Sequence, residues 1–183
     1  MTNGSTLQFR IAAPDDAVQL QQLIESAFRA EDSRAGWTAD MELGRQFRYK
    51  VEEVHTTINR PDARVLMAFD STGALVGSVD VVKRTPDLAR VAMLSVDPNQ
   101  QRGGIGRQLI AYAEDYCRRE WGVGKFGLNA LSTRDKLLAW YERCGYQRTG
   151  ETTPFPVERF PDLDLPRDLH FVELEKNAAS ETI

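Results

Sequence analysis

Cysteine and histidine are scarce in this sequence of 183 residues, which holds two of each. Cys117 and Cys144 are too few for a disulfide scaffold, and they lack the C-x-x-C spacing of zinc and redox sites. Apolar neighbours at helical spacing predict that both are small core residues. His55 and His170 form neither H-x-x-x-H nor H-E-x-x-H, so we expect no metal. His55 is predicted to flank the apolar face of a helix.

Long apolar runs and a strong net charge are missing as well. No run approaches the ~20 residues of a membrane span, and residues 1–10 lack the basic flank and apolar stretch of a secretory signal. A net charge of −4 argues against wrapping nucleic acid. Hydrophobic residues at 42% and charged residues at 27% are typical of a globular protein. We therefore expect one cytoplasmic domain over residues 1–176, with no membrane or nucleic-acid partner and a flexible tail at 177–183.

The small net charge conceals an uneven distribution. Residues 1–60 carry 7 basic and 9 acidic side chains, residues 61–150 carry 13 and 10, and residues 151–183 carry 3 and 8. The middle segment is therefore basic and both flanks are acidic. Such a middle segment suits an anionic ligand, and acidic flanks suit a cationic one.

Hydrophobic periodicity predicts seven strands and four helices. In chain order they are a strand at 7–11, helices at 14–28 and 38–58, strands at 64–69, 74–82 and 90–96, a helix at 105–121, a strand at 125–131, a helix at 134–144, and strands at 146–149 and 169–174. Thr38 is predicted to cap the second helix. The strand at 90–96 is continuously apolar, which favours burial on both faces. Helices on both faces of one mixed sheet are the architecture that this order predicts.

The segment LSVDPNQQRGGIGR at residues 94–107 holds the most informative motif. It combines the end of a strand, a glycine-rich loop and the start of a helix, where backbone N–H groups and the helix dipole favour an anion. Arg102 and Arg107 add charged donors. A P-loop is excluded because Arg107-Gln108 replaces Lys-Ser/Thr, and a dinucleotide fingerprint is excluded because Leu109 stands where a glycine is needed.

The pattern Gln101-x-x-Gly104-x-Gly106 resembles the acyl-CoA motif of the GNAT (GCN5-related N-acetyltransferase) superfamily. It follows a strand that ends Leu94-x-Val96-x-Pro98. Asn129 on the next strand and the run WYERCGY at residues 140–146 extend the resemblance, in the family's order. The resemblance implies the GNAT acyl-CoA N-acyltransferase fold, an α/β (α+β) three-layer α/β/α structure. Its mixed, largely antiparallel sheet has about seven strands, with about four helices.

The resemblance also implies site residues. Backbone groups of residues 94–96 would pair with the pantetheine arm of acetyl-CoA, and amides of residues 101–107 would hold its pyrophosphate. Asn129 would bind the pantetheine, and Tyr141 would protonate the leaving thiolate. The full set for acetyl-CoA is Leu94, Ser95, Val96, Gln101, Arg102, Gly103, Gly104, Ile105, Gly106, Arg107 and Asn129. Asn129 as a strand terminator and Tyr141 as a core tyrosine are the structural alternatives, and Arg102 stands where many members have glycine.

The function implied is acetyl-CoA-dependent N-acetylation of a small molecule's primary amine by direct attack on the thioester. A non-catalytic acyl-CoA sensor and an acetyltransferase acting on a protein amine are the alternatives, and a homodimer is left open. No general base is named. Asp80 is expected to be a solvated strand acid, with a base that acts through water as the alternative, and Glu42 is a weaker candidate for the base. In this superfamily substrate recognition comes from the first two helices and the loop before the last strand, which correspond here to residues 30–59 and 152–168. Both segments are acidic on balance, which favours a cationic amine. Trp37 is interpreted as a hydrophobic staple rather than an aromatic wall.

Overall fold

The computed structural model describes residues 6–31, 43–44, 46–100 and 103–179, the side chain of residue 31 excepted. Its strands are Gln8–Ile11 (β1), Ala63–Phe69 (β2), Leu75–Lys83 (β3), Leu88–Val96 (β4), Lys125–Leu131 (β5), Gln147–Pro154 (β6) and His170–Asn177 (β7). Its helices of two turns or more are Ala17–Glu31 (α1), Val51–Asn59 (α2), Ile105–Trp121 (α3) and Asp135–Arg143 (α4). The predicted order of elements is confirmed.

The seven strands form one sheet in the order β1-β2-β3-β4-β5-β7-β6. All neighbours pair antiparallel except β4 and β5, which are joined through α3 and pair parallel. Buried residues of α1 and α2 pack on one face of the sheet, and those of α3 and α4 pack on the other. The three-layer, largely antiparallel architecture is therefore confirmed. Both cysteines are buried in the core between the sheet and the helices α3 and α4, as predicted.

The prediction of one continuous helix over 38–58 is confirmed at residues 51–58 and wrong at residues 47–50. Residues 47–50 are not helical, and α2 begins only at Val51. Tertiary hydrogen bonds hold this segment against α1, because the Tyr49 N–H donates to Glu25 Oε2 at 3.2 Å and Gln21 Nε2 donates to the Tyr49 carbonyl at 2.8 Å. Those contacts outweigh the helical periodicity. Residues 32–42, which include the predicted Thr38 cap, Trp37 and Glu42, lie outside the described residues.

The last two strands are longer than their apolar patterns predict. β6 continues to Pro154, and every one of its residues is exposed. Its sequence therefore lacks the alternation of apolar and polar residues that would show where the strand ends. β7 continues to Asn177, which pairs with Lys125, and the Ala178 N–H donates to the Gly124 carbonyl at 2.8 Å. Pairing with a neighbouring strand, rather than burial, sets the length of both strands.

Candidate active site

The parallel strands β4 and β5 pair over three residues and then diverge. Leu88, Ala89 and Arg90 pair with residues 125–127, and the register records no pairing between the two strands beyond Arg90. β5 continues to pair with β7 as far as Leu131. The C-terminal halves of β4 and β5 therefore form the sides of a wedge in the middle of the sheet. This opening explains why β4 is buried on both faces only in part, contrary to the prediction.

A β-bulge lies on the β4 side of the wedge. Ser78 pairs with Ser95 and Asp80 with Ala92, so the two residues Met93 and Leu94 face the single residue Val79. Met93 has a φ of 53°, the left-handed conformation that residues other than glycine rarely adopt. A bulge leaves one residue outside the ladder and redirects side chains, and both Met93 and Leu94 line the cavity described below.

The glycine-rich loop starts α3 as predicted. Gly104 is the N-cap residue with a φ of 72°, and no side chain caps the first turn. Its C=O accepts from Gln108 N–H at 3.1 Å. Apart from the chain neighbours and the backbone of α3, none of the described residues has an atom within 4 Å of the position of a Gly104 Cβ, so backbone conformation favours glycine here. Gln101 and Arg102, which the motif includes, lie outside the described residues.

Gly106 joins α3 to the wedge. A Cβ at Gly106 would lie 3.4 Å from the Trp140 ring and 3.7 Å from Val96 Cγ2, so this position of α3 is within van der Waals reach of both α4 and β4. The Arg107 guanidinium donates to the Arg143 carbonyl at 3.2 Å and thus caps the end of α4. The first turn of α3 and the end of β4 are therefore adjacent, as the motif predicts, with Arg107 engaged at α4.

Asn129 lies within β5 and is not a strand terminator. Its Nδ2 donates to Glu173 Oε1 at 3.0 Å, and the same carboxylate pairs with Arg90 Nη1 at 3.3 Å. Arg90 is the last β4 residue that pairs with β5, so Glu173 fixes Asn129 beside the apex of the wedge. Glu173 was missed in the sequence because a lone acid in an apolar strand carries no motif.

A cavity of about 500 Å³ occupies the open end of the wedge. Residues 91–94 of β4 and 129–131 of β5 line it, together with Tyr141 of α4. Tyr141 is buried and packs between Trp140 and Tyr146, with ring centroids 5.3 and 6.3 Å away. The structure thus brings Leu94, Asn129 and Tyr141, which are far apart in the chain, to one cavity. Leu94 connects this cavity along β4 to Val96 and the start of α3.

Asp80 is not the solvated acid that we predicted. β3 is covered on both faces, Asp80 is 5% exposed, and its Oδ1 has no hydrogen-bond partner among the described residues. Loss of solvation raises the pKa of Asp80 from 3.8 to about 7. Burial and the nearby charge of Asp80 also raise the pKa of Tyr49 to about 12. Asp80 is not among the residues that line the cavity, although its cross-strand partner Ala92 is.

A second, partly buried polar cluster supports the end of α4. Tyr146 Oη donates to Glu114 Oε1 at 2.9 Å, and Lys176 Nζ pairs with Glu114 Oε2 at the same distance. Lys176 also donates to the Cys144 carbonyl at 2.9 Å. Burial, followed by the charge of Glu114, raises the pKa of Tyr146 well above its usual range. Because the Tyr146 ring packs edge-on against Tyr141, this cluster helps to fix the position of Tyr141.

Comparison with known proteins identifies the family. The sequence model of the Acetyltransferase (GNAT) family matches residues 19–146, so this chain belongs to that family. It is 29% identical over 154 residues to the mycothiol acetyltransferase of Salinispora tropica. This match covers 81% of this chain and 46% of the relative. It is 36% identical over 83 residues to the N-alpha-acetyltransferase RimI of Mycobacterium tuberculosis. That match covers 44% of this chain and 50% of the relative. The chain therefore spans about half the length of these curated relatives.

Solved structures show the same fold at low sequence identity. The spermidine N-acetyltransferase of Vibrio cholerae, solved with CoA and spermine, matches with a TM-score of 0.68 and 18% identity over 93% of this chain and 95% of that chain. The PaiA N-acetyltransferase of Thermoplasma acidophilum, solved with coenzyme A, matches with a TM-score of 0.71 and 16% identity over 94% and 99%. Within the described ranges, no helix is long and apolar enough to cross a membrane.

Proposed function

We propose that this protein is an acetyl-CoA-dependent N-acetyltransferase that acts on the primary amine of a small molecule. The observation that carries the proposal is the wedge between β4 and β5, because it opens into a cavity that Tyr141 lines and adjoins a glycine-led helix N-terminus. Family membership supports this activity. Two curated relatives are a mycothiol acetyltransferase and an N-alpha-acetyltransferase, and two of the solved structures hold CoA.

Acetyl-CoA would follow β4 from the first turn of α3 to the cavity. The N-cap residue Gly104 offers no side chain to the amides of Ile105, Gly106 and Arg107, and the helix dipole favours the pyrophosphate at this position. The pantetheine arm would add as a partial strand beside residues 94–96, where β5 no longer pairs. Asn129, held by Glu173, would bind the arm from the opposite side of the wedge. The thioester would then lie in the cavity beside Tyr141.

The reaction needs one bond to form and one to break. The neutral amine attacks the acetyl carbonyl, a C–N bond forms, and the C–S bond breaks as the thiolate leaves. A backbone N–H at the Met93–Leu94 bulge would stabilise the oxyanion, because a bulged residue lies outside the ladder. Tyr141 would give its phenolic proton to the thiolate and recover a proton from the new amide nitrogen, so that CoA leaves as the thiol.

Loss of the amine's extra proton is explained by the cavity itself. None of the described residues that line the cavity is Asp or Glu, so no carboxylate of the described lining would accept that proton directly. An apolar cavity lowers the pKa of an ammonium group because burial disfavours its charged form. The substrate would therefore release its proton to water on entry and react as the neutral amine. We accordingly expect kcat/KM to increase with pH until the amine's own pKa is reached.

Substitution of Tyr141 tests the proposal. In Tyr141→Phe the ring is kept and the proton is lost, so kcat should fall about 100-fold, within the range of general acid catalysis, while the Kd of acetyl-CoA changes less than about twofold. Tyr112→Phe is the matched control, because Tyr112 stacks on Phe9 at 4.3 Å on α3 and does not line the cavity. Release of free thiol measures turnover, and calorimetry measures binding. Equal turnover of the two variants would contradict the role of Tyr141.

The alternative of a non-catalytic acyl-CoA sensor is tested by the same measurements. A sensor binds acetyl-CoA and gains thermal stability, but it releases no thiol with any amine. An enzyme shows both effects. If millimolar acetyl-CoA neither binds nor raises the melting temperature, the wedge is not a CoA site and both functions are excluded.

A further inference from the structure

Five of the eight phenylalanines in the chain line the cavity, in two groups. Phe28 of α1 stacks on Phe47, with ring centroids 4.7 Å apart. From the other end of the chain, the Phe155 ring lies 5.5 Å from Phe160 and 5.7 Å from Phe171. All five are half-buried, so each ring keeps surface that the fold does not cover. Apolar surface gathered in one concave place is typical of a ligand site.

The cavity reaches both faces of the sheet through the wedge. Tyr141 belongs to the core on the α4 side, whereas Phe28 and Phe47 pack against the core on the α1 side. All three line the same space. Acetyl-CoA bound along residues 94–96 would bring its thioester to Tyr141, and an amine that attacks this thioester directly must share the cavity with it. The phenylalanines then surround the part of the acceptor that extends away from the reacting nitrogen.

The rest of the described lining adds apolar surface and a few polar groups. Aliphatic side chains of β4, β5 and α4 extend the surface of the phenylalanines. Gln46, Arg48 and Arg134 also line the cavity, and both arginines are engaged with other groups of the chain. The volume of about 500 Å³ lies in the range of pockets that enclose small-molecule ligands. Contact with aromatic and aliphatic surface is therefore what this lining offers to the body of a ligand.

We infer that the acceptor carries its primary amine on an apolar body, aromatic or aliphatic and at least the size of a phenyl ring, that packs against these phenylalanines. This inference rests on the proposed N-acetyltransferase function. Burial of apolar surface stabilises a complex in proportion to the area removed from water, and ring contacts add to it for an aromatic body. Selection among primary amines would then depend on the body, because the reacting nitrogen is the same in all of them.

Unbranched alkylamines test the inference on the wild-type enzyme. Ethylamine, butylamine and hexylamine have nearly the same amine pKa and differ only in apolar length. We expect kcat/KM, measured by thiol release at pH 8 with saturating acetyl-CoA, to rise about threefold with each methylene and at least 30-fold from ethylamine to hexylamine. A value that is constant or falls along the series would overturn the inference.

Removal of one ring should weaken the dependence on length. Phe155 contacts both Phe160 and Phe171, so Phe155→Ala breaks up one of the two groups. It should lower the hexylamine-to-ethylamine ratio of kcat/KM at least fivefold, mainly through a loss with hexylamine. Phe9→Ala is the matched control, because Phe9 is also half-buried but stacks on Tyr112 and does not line the cavity. This variant should keep the wild-type ratio.

A second variant covers the case in which Phe155→Ala does not fold, as its melting temperature will show. Phe28→Ala makes the same test on the other group, because Phe28 stacks on Phe47. It should also lower the hexylamine-to-ethylamine ratio at least fivefold. Folded variants that keep the wild-type ratio would show that the alkyl chain binds away from the phenylalanines, and the inference would be wrong.

The outcomes distinguish this inference from the proposed function. If ethylamine is acetylated as efficiently as hexylamine, the inference is wrong and the N-acetyltransferase function stands. If hexanoyl-CoA reacts faster than acetyl-CoA with ethylamine while the amine series stays flat, the cavity holds the acyl chain, and again only the inference fails. If no amine releases thiol although acetyl-CoA binds, the proposed function itself fails.

Discussion

Replacement of the buried Asp80 with asparagine should remove most of a pH-dependent loss of stability. In the folded chain Asp80 keeps its proton up to a pKa of about 7, because burial disfavours the carboxylate. In the unfolded chain the same group loses its proton near its ordinary pKa of 3.8. Between these values unfolding releases a proton, so a rise in pH favours the unfolded state. The free energy of unfolding therefore falls from about pH 4 and levels off above pH 7.

The size of this effect follows from the shift. About three pKa units correspond to about 4 kcal/mol at the plateau, and roughly 2 to 3 kcal/mol of it is lost between pH 5 and pH 8. Asparagine has nearly the same shape and does not titrate. As the pH rises from 5 to 8, the unfolding free energy of Asp80→Asn should therefore increase relative to that of wild type by roughly 2 to 3 kcal/mol.

Urea denaturation of both proteins at pH 5, 6, 7 and 8 measures this difference. Ser78→Ala is the matched control, since Ser78 lies two residues away on β3 and its Oγ is also buried without a hydrogen-bond partner. That variant should change stability by the same amount at every pH. A difference for Asp80→Asn that stays constant from pH 5 to pH 8 would refute the reasoning, because it would mean that Asp80 titrates alike in the folded and unfolded chains.

Two further predictions concern the glycine loop and the cluster behind Tyr141. Gly104→Ala and Gly73→Ala both place a side chain at positive φ, 72° and 82° respectively, so each should cost about 1 kcal/mol of stability. Only Gly104→Ala should weaken acetyl-CoA binding, about tenfold by calorimetry, because Gly73 lies in the β2–β3 turn. Equal affinities of the two variants for acetyl-CoA would contradict the placement of the pyrophosphate at Gly104. Glu114→Ala removes the acceptor of the Tyr146 hydroxyl and the carboxylate partner of Lys176, which keeps its hydrogen bond to the Cys144 carbonyl. It should lower the unfolding free energy by about 2 kcal/mol, with Glu114→Gln losing about half as much. A loss below 0.5 kcal/mol in Glu114→Ala would show that the cluster does not stabilise the fold.

The local signals in the sequence were sufficient for the elements around the glycine loop. The helix at 105–121 and the strand at 125–131 have the predicted bounds, and Gly104, Gly122 and Gly145 all have positive φ at helix ends. These features depend on residues within a few positions of one another: apolar spacing sets the helix, and glycine sets its ends. The family motif depends on the same local spacing, which is why the family was recognisable before the fold.

Only the tertiary structure decided which residues share the cavity and which charges face it. Phe28 and Phe171 are 143 positions apart, and no periodicity indicates that they line one space. The sequence around Asp80 alternates as a strand does whether this face of the sheet is exposed to solvent or covered. Packing of α1 and α2 on the sheet covers it. Phe47 continues the apolar pattern of the predicted helix at 38–58, yet contacts with α1 hold Phe47 and Tyr49 outside a helix. The sequence by itself determined the elements and the family because these follow from short-range spacing, whereas burial and cavity charge follow from long-range packing.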